Sequence, residues 1–251
     1  MAAFSAQPLT WMVTSVAILV VGATAFAQSP ALAQNTAVKA GENRAVQIQD
    51  TLKTCYQCHG AGGVSEIPSR PTLAGQKADY LRRQLLAFKM AGQAIDPSKA
   101  GQPGTLVRPD PVMEHKVTNV GDDLIAPIAA VLSNMACDGG KPRQEETRTF
   151  ELPKAGQACV GCHGVNGIGT KAQVPNLAGQ QRSYLRRQLL LIRERSWGAA
   201  PREGEAWRSH PILEAHAARL SIVDIDAVAR YYSALPCDGG KTVMDKPKAE
   251  K

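Results

Sequence analysis

Three features of the sequence predict an all-α protein made of two tandem copies of one unit. The pentapeptide C-x-x-C-H occurs twice, as Cys55-Tyr56-Gln57-Cys58-His59 and as Cys159-Val160-Gly161-Cys162-His163. The helix-like stretch Tyr80-Leu81-Arg82-Arg83-Gln84-Leu85-Leu86 recurs unchanged from Tyr184 to Leu190, at the same offset of 104 (184 − 80 and 159 − 55). Each copy then closes on Cys-Asp-Gly-Gly-Lys, at Cys137 and at Cys237. Order kept over this length marks an internal duplication.

C-x-x-C-H is the attachment sequence for c-type haem. Two thiols two residues apart each bond one vinyl arm of the same porphyrin. The adjacent His then supplies a nitrogen ligand from beneath the iron. A zinc site or a redox dithiol would have to explain a His directly after both Cys pairs, and neither does. The expected cofactors are two covalent haem c groups, on Cys55/Cys58 and Cys159/Cys162, with His59 and His163 as proximal ligands.

A chain of 251 residues holds one large domain or two of about 100–150 residues. Aromatic content is 5%, which suits a small domain whose core is filled by a porphyrin. The formal net charge is +7 without a long basic run. Haem propionates offset part of that excess, so no nucleic-acid partner is expected. A basic surface favours encounter with acidic partners. The expected partners are redox proteins with acidic docking surfaces, and association with a membrane-bound oxidoreductase complex stays open.

Residues 1–34 carry no charged side chain. An apolar run from Trp11 ends in Ala25-Phe26-Ala27, and Ala31-Leu32-Ala33 offers a second small-x-small site. Residues 1–33 therefore read as a secretory signal, cleaved after Ala27 or Ala33. The start lacks Lys and Arg, so an uncleaved membrane anchor is the rival reading, although the run is at the short edge of a span. Export places the protein in the periplasm, where bacteria attach haem c.

The elements follow in order. Ala37 to Thr54 reads as a helix leading into the first Cys pair. Gly60 to Pro71 is Gly/Pro-rich loop. Pro71-Thr72-Leu73-Ala74-Gly75-Gln76 precedes a helix on which Tyr80, Leu81, Leu85 and Phe88 share one face. Gly92 to Pro111 is loop. Asp122-Asp123 opens a last helix through Met135, with Pro127 expected in its first turn. The first unit spans 37–141, and a charged linker covers 142–153. The second unit, 154–241, repeats Pro175-Asn176-Leu177-Ala178-Gly179-Gln180 and is four residues shorter in the loop after its middle helix. A tail of 242–251 remains. Trp197 and Trp207, which flank the shortened loop, have no counterpart in the first unit and are expected in the core, with a cover over the second haem as the alternative. Arg82-Arg83 and Arg186-Arg187 read as solvated helix faces, with one Arg of each pair reaching a haem propionate as the alternative.

This order resembles the two-haem class I cytochromes of the cytochrome c4 family, over about residues 40 to 241. The carrying residues are both C-x-x-C-H motifs, both P-x-L-A-G-Q segments, the Tyr-x-x-x-Gln-Leu helices and the closing helices. The resemblance implies two class I cytochrome c domains related by an approximate two-fold axis, with haem edges close together. It implies a periplasmic carrier of single electrons between a dehydrogenase or quinol-oxidising complex and a terminal acceptor. It also implies that the carbonyls of Pro71 and Pro175 accept the N–H of the proximal histidines.

The first unit supplies Met113, on a loop and at the family's position, as distal ligand; a thioether raises the potential. Met90 and Met135 suit core filling. The second unit departs from the pattern. Arg208 to Glu214 aligns with Arg108 to Glu114 without a gap, and Leu213 stands where Met113 does. Leucine cannot bind iron. The expected distal ligand is His216, with His210 the alternative; an open iron is a third reading, in which both are surface histidines. His115 reads as a surface residue. An open iron keeps an enzymatic reading alive, peroxidase-like or in sulfur-compound oxidation. A sensor is the third class, but no signalling domain is present. Two cysteines remain, Cys137 and Cys237. In an oxidising compartment and near the implied two-fold axis they are candidates for one disulfide; two separate buried thiols are the alternative.

Overall fold

The structure, a computed structural model, describes residues 30–92, 108–140, 151–199 and 210–238. Most of the expected signal peptide and linker, Trp207, Arg208 and the tail lie outside the described residues. Contacts group the chain into Met1–Gly41 and Glu42–Lys251, and both C-x-x-C-H motifs lie in the second of these. Among the described residues there is no strand. No helix there is long and apolar enough to cross a membrane.

The first repeat contains α1 (Pro30–His59), α2 (Ala78–Gly92), α3 (Pro111–Val117) and α4 (Asp122–Ser133). The second contains α5 (Gln157–His163), α6 (Arg182–Ser196), α7 (Pro211–Ala217) and α8 (Ile222–Ala234). Helix α1 runs on through the Cys pair to the histidine instead of ending at Thr54. It stops because Gly60 turns left-handed at φ 80°. A Cβ there would lie 1.9 Å from the Val64 carbonyl oxygen, so no other residue fits.

Helix α2 packs on α3 and α4, and α6 packs on α7 and α8. The first core is Leu52, Leu81, Leu124, Ile128, Ala129 and Leu132, with Tyr56, Leu73 and Leu85 against it. The second is built on Leu185, Val228, Ala229, Tyr231 and Tyr232. Burying one such aliphatic side chain contributes about 1.5–3 kcal/mol.

Pro127 and Trp197 both depart from expectation. Pro127 lies inside α4, beyond its first turn. Proline has no N–H for the carbonyl four residues back. That carbonyl, of Asp123, accepts from the Arg44 guanidinium at 2.6 Å, so the interruption is satisfied from α1. Trp197 is 58% exposed and is no core residue. It follows α6, where the Arg193 guanidinium stacks on its ring at 4.6 Å. Arg193 is buried and donates to the Leu220 carbonyl. In the first repeat Lys89 does the same task at the equivalent turn, donating to the Val120 carbonyl and Asp122. A lysine has no flat face to cover, and the first repeat has no such Trp.

The two repeats are joined reciprocally. Gln76 Nε2 donates to the Asn176 carbonyl (2.9 Å), and the Asn176 N–H donates back to Gln76 Oε1 (2.8 Å). Gln180 makes the same pair with Thr72, at 3.0 and 2.8 Å. Each Gln of a P-x-L-A-G-Q segment thus pairs with the opening of the other copy's segment, as a two-fold relation requires. Lys77 donates to the Gly169 carbonyl, and its equivalent, Gln181, to that of Ser65. Cys137 and Cys237 are disulfide-bonded across the same junction, with Cα atoms 6.0 Å apart. Gly75 (φ 69°) and Gly179 (φ 67°) admit them: a Cβ on either would lie 2.7 or 2.5 Å from the adjacent cysteine Cβ.

Candidate haem-binding cavity

One cavity of about 250 Å³ is lined by both repeats. Cys55, Cys58 and His59 reach it from the last turn of α1, and Cys159, Cys162 and His163 from α5. The opposite walls are Leu81, Leu85 and Phe88 of α2, and Leu185, Leu189 and Ile192 of α6. All four cysteines are free thiols. Burial pushes those of Cys55 and Cys159 up, which keeps them uncharged.

The two histidines have the same partner. His59 Nδ1 lies 2.8 Å from the Pro71 carbonyl oxygen and His163 Nδ1 3.1 Å from that of Pro175. A carbonyl can only accept, so the proton is on Nδ1 and Nε2 keeps its lone pair. Both rings are buried, at 6% and 7% exposure. For His59, burial lowers the pKa below its ordinary value, against the hydrogen bond to Pro71, and the neutral ring is the ligating form.

Met113 and Leu213 line the cavity from equivalent helices, α3 and α7. Met113 thus stands on a short helix and not on the expected loop, because Asp110 and Pro111 start a turn there. Asp110 caps α3 by accepting the Met113 N–H at 3.1 Å. His210 does so for α7, its Nδ1 accepting the Leu213 N–H at 3.3 Å. That nitrogen of His210 is committed to the backbone, and His210 is not part of the cavity wall. His216 is, from the position where the first repeat has Lys116. His115 is exposed. Met135 packs on the first core and accepts from the Tyr56 hydroxyl at 3.4 Å. Arg82 and Arg186 pair with Asp79 and Asp226 at the surface, whereas Arg187 lines the cavity.

These residues fit haem c. Each repeat brings two thiols outside any disulfide, one imidazole whose Nδ1 is held by a proline carbonyl, and an apolar wall to a single space. Among the described residues no three His, Cys, Asp or Glu side chains gather to hold a metal ion. A porphyrin brings four nitrogens of its own, so its iron asks the protein for axial ligands only.

Two features have no plain signal in the sequence. One is the cross-repeat role of Gln76 and Gln180, hinted at only by the Gln that ends both P-x-L-A-G-Q copies. The other is Arg108. It donates from Nη1 to Gln84 (2.6 Å) and from Nη2 to Tyr184 and Gln188 of the second repeat (both 3.0 Å). Nothing local in the sequence announces that reach.

A helical shell that presents C-x-x-C-H at a helix end, opposite a short helix with a distal side chain, defines a class I c-type cytochrome. The cytochrome c family model matches residues 154–235. The chain is 34% identical to cytochrome c4 of Azotobacter vinelandii over 195 residues, covering 74% of this chain and 87% of that protein. Its fold is similar to the crystal structure of reduced recombinant cytochrome c4 from Pseudomonas stutzeri, with a TM-score of 0.53 and 28% identity over 75% of this chain and 97% of that one. It is also 29% identical to the thiosulfate dehydrogenase electron acceptor of Stutzerimonas stutzeri strain A1501, over 71% of this chain and 77% of that protein. The chain belongs to the cytochrome c4 family. It is a cytochrome of electron transport, and its family carries covalently bound haem c.

Proposed function

We propose that the protein is a periplasmic carrier of single electrons holding two haem c groups. The first would be held by Cys55 and Cys58, with His59 and Met113 as the residues offered to its iron. The second would be held by Cys159 and Cys162, with His163 and His216. The observation that carries this reading is the equivalent pair of buried histidines, each with its Nδ1 proton held by a proline carbonyl, in one shared cavity. When bound, haem iron accepts and releases one electron. The chain's part is to hold the imidazoles in one tautomer, to keep water from the iron with the walls of α2 and α6, and to keep the two sites adjacent through the paired glutamines. The similarity to a thiosulfate dehydrogenase electron acceptor supports an oxidoreductase acting on sulfur compounds as the electron donor.

Leu213 in the cavity wall favours one second reading, chemistry at an open second iron. Mass spectrometry and carbon monoxide separate the two. The mature chain should show two haem additions and the loss of its first 27 or 33 residues, and its reduced form should bind no carbon monoxide. Fewer than two haems would defeat the dihaem carrier. Carbon monoxide binding by the wild type would put the second reading in its place.

A further inference from the structure

We propose that Arg108 is the cation that receives haem carboxylates where the two repeats meet, and that it makes the potential of the first haem depend on the second repeat. This rests on the dihaem reading above. The guanidinium is held from both sides by equivalent residues. It donates to Gln84 on α2 and to Gln188, the same residue one repeat later, on α6. Tyr184 accepts a further bond, the Phe88 ring lies 4.6 Å beneath, and the Arg108 backbone N–H is tied to the Ala87 carbonyl at 3.2 Å.

Every one of these partners is neutral. Among the described residues no carboxylate forms an ion pair with Arg108. Asp110, two residues on, accepts from the Met113 N–H at the start of α3. A half-buried cation that hydrogen-bonds only neutral groups, with Asp110 acting on it without an ion pair, is completed by a counter-charge in contact with it. Arg108 lines the shared cavity, and three of its five N–H donors are engaged by the bonds above. The remainder suit a carboxylate. Haem c brings two propionates, which supply that carboxylate.

The consequence is electrostatic. A fixed cation disfavours the more positive ferric state, and more strongly in a site of low dielectric. It therefore raises the potential. Because Tyr184 and Gln188 belong to the second repeat, they position the charge that acts on the first site. Tyr184 and Gln188 are positioning residues in this sense; Arg108 meets the propionate and touches no iron.

The test is a spectroelectrochemical titration of the haem-loaded full chain, with the absorption band of Met-ligated ferric iron identifying the first haem. Arg108→Gln should lower the first potential. Arg108→Lys, which keeps the charge, should restore most of it. Tyr184→Phe should shift the first potential in the wild-type background and leave it unmoved in Arg108→Gln. Unchanged potentials in a fully loaded Arg108→Gln protein would overturn the proposal, as would a Lys variant shifted as far as Gln. If Arg108→Gln takes up no haem, Tyr184→Phe decides alone: an unshifted first potential sinks the idea. A wild-type mass with fewer than two haems overturns both this proposal and the dihaem reading, and is told apart from the other failures by that mass.

Discussion

Leu213 and Met113 share one place in the two repeats, and only the first repeat offers a thioether there. If Met113 ligates the first iron, Met113→Leu should abolish the ferric Met band completely. Leu213→Met should create a second such band and raise the lower of two potentials, since a thioether favours the ferrous state. Visible spectra and a redox titration check both; a Met113→Leu protein that keeps its band would refute the assignment. The neighbouring cap is a second local difference. Copy one caps its short helix with a carboxylate, copy two with the His210 imidazole. A carboxylate is the stronger acceptor and complements the helix dipole. His210→Asp should therefore stabilise the second repeat, by roughly 0.5–1 kcal/mol, read as a higher Tm.

Helix α4 shows how an element tolerates a residue that should break it. Arg44 supplies the Asp123 carbonyl with the donor that Pro127 lacks. Arg44→Ala should cost about 0.5–1.5 kcal/mol, and less in a Pro127→Ala background, where a backbone N–H is restored. Denaturant melts of the four proteins in that cycle give the coupling. Equal losses in both backgrounds would show that Arg44 acts elsewhere. In the second repeat, α6 and α8 are tied at the surface through Asp226, which accepts from Arg182 (2.6 Å) and Arg230 (3.2 Å). Burial pushes its carboxyl up, but these hydrogen bonds outweigh that and hold it below the ordinary carboxylate range. The sign follows by linkage: the contribution is present above the unfolded value and is lost as pH falls through the lower folded one. The Tm gap between wild type and Asp226→Asn should be open at neutral pH and close in acid. A gap that persists unchanged into acid would rule this out.

At the scale of the whole molecule, two kinds of bond hold the repeats in register. The Cys137–Cys237 bridge closes a sequence separation of 100. The chain-entropy view values such a closure at roughly 4.7 kcal/mol before native strain. Cys137→Ser with Cys237→Ser should lower Tm and remove its sensitivity to reductant. A wild-type Tm that ignores reductant would mean that the bridge does not form. The glutamine pairs act at shorter range. Gln76→Leu leaves the Asn176 N–H and carbonyl unpaired in a buried junction and should cost about 1–3 kcal/mol. It should also disturb the relation of the two sites, so an altered separation of potentials is the accompanying readout.

Local pattern alone determined the helical class, the duplication and the family: C-x-x-C-H, the apolar spacing of the Tyr80 and Tyr184 helices and their common offset are all contained in short windows. Those windows also exposed Leu213, because an ungapped register needs no coordinates. What the windows could not hold is any contact between residues far apart in the chain. Pro127 is tolerated beyond the first turn of its helix because its compensation comes from Arg44, 79 residues away from Asp123. Trp197 has the size of a core residue, yet it lies outside, and Arg193 becomes its partner only once α6 and the turn at Leu220 are packed. Gln76, Gln180 and Arg108 acquire their roles only when the second repeat turns back onto the first. Hydrophobic period is a property of neighbours in sequence. The pairing of buried polar groups is a property of neighbours in space, and there the tertiary structure alone decides.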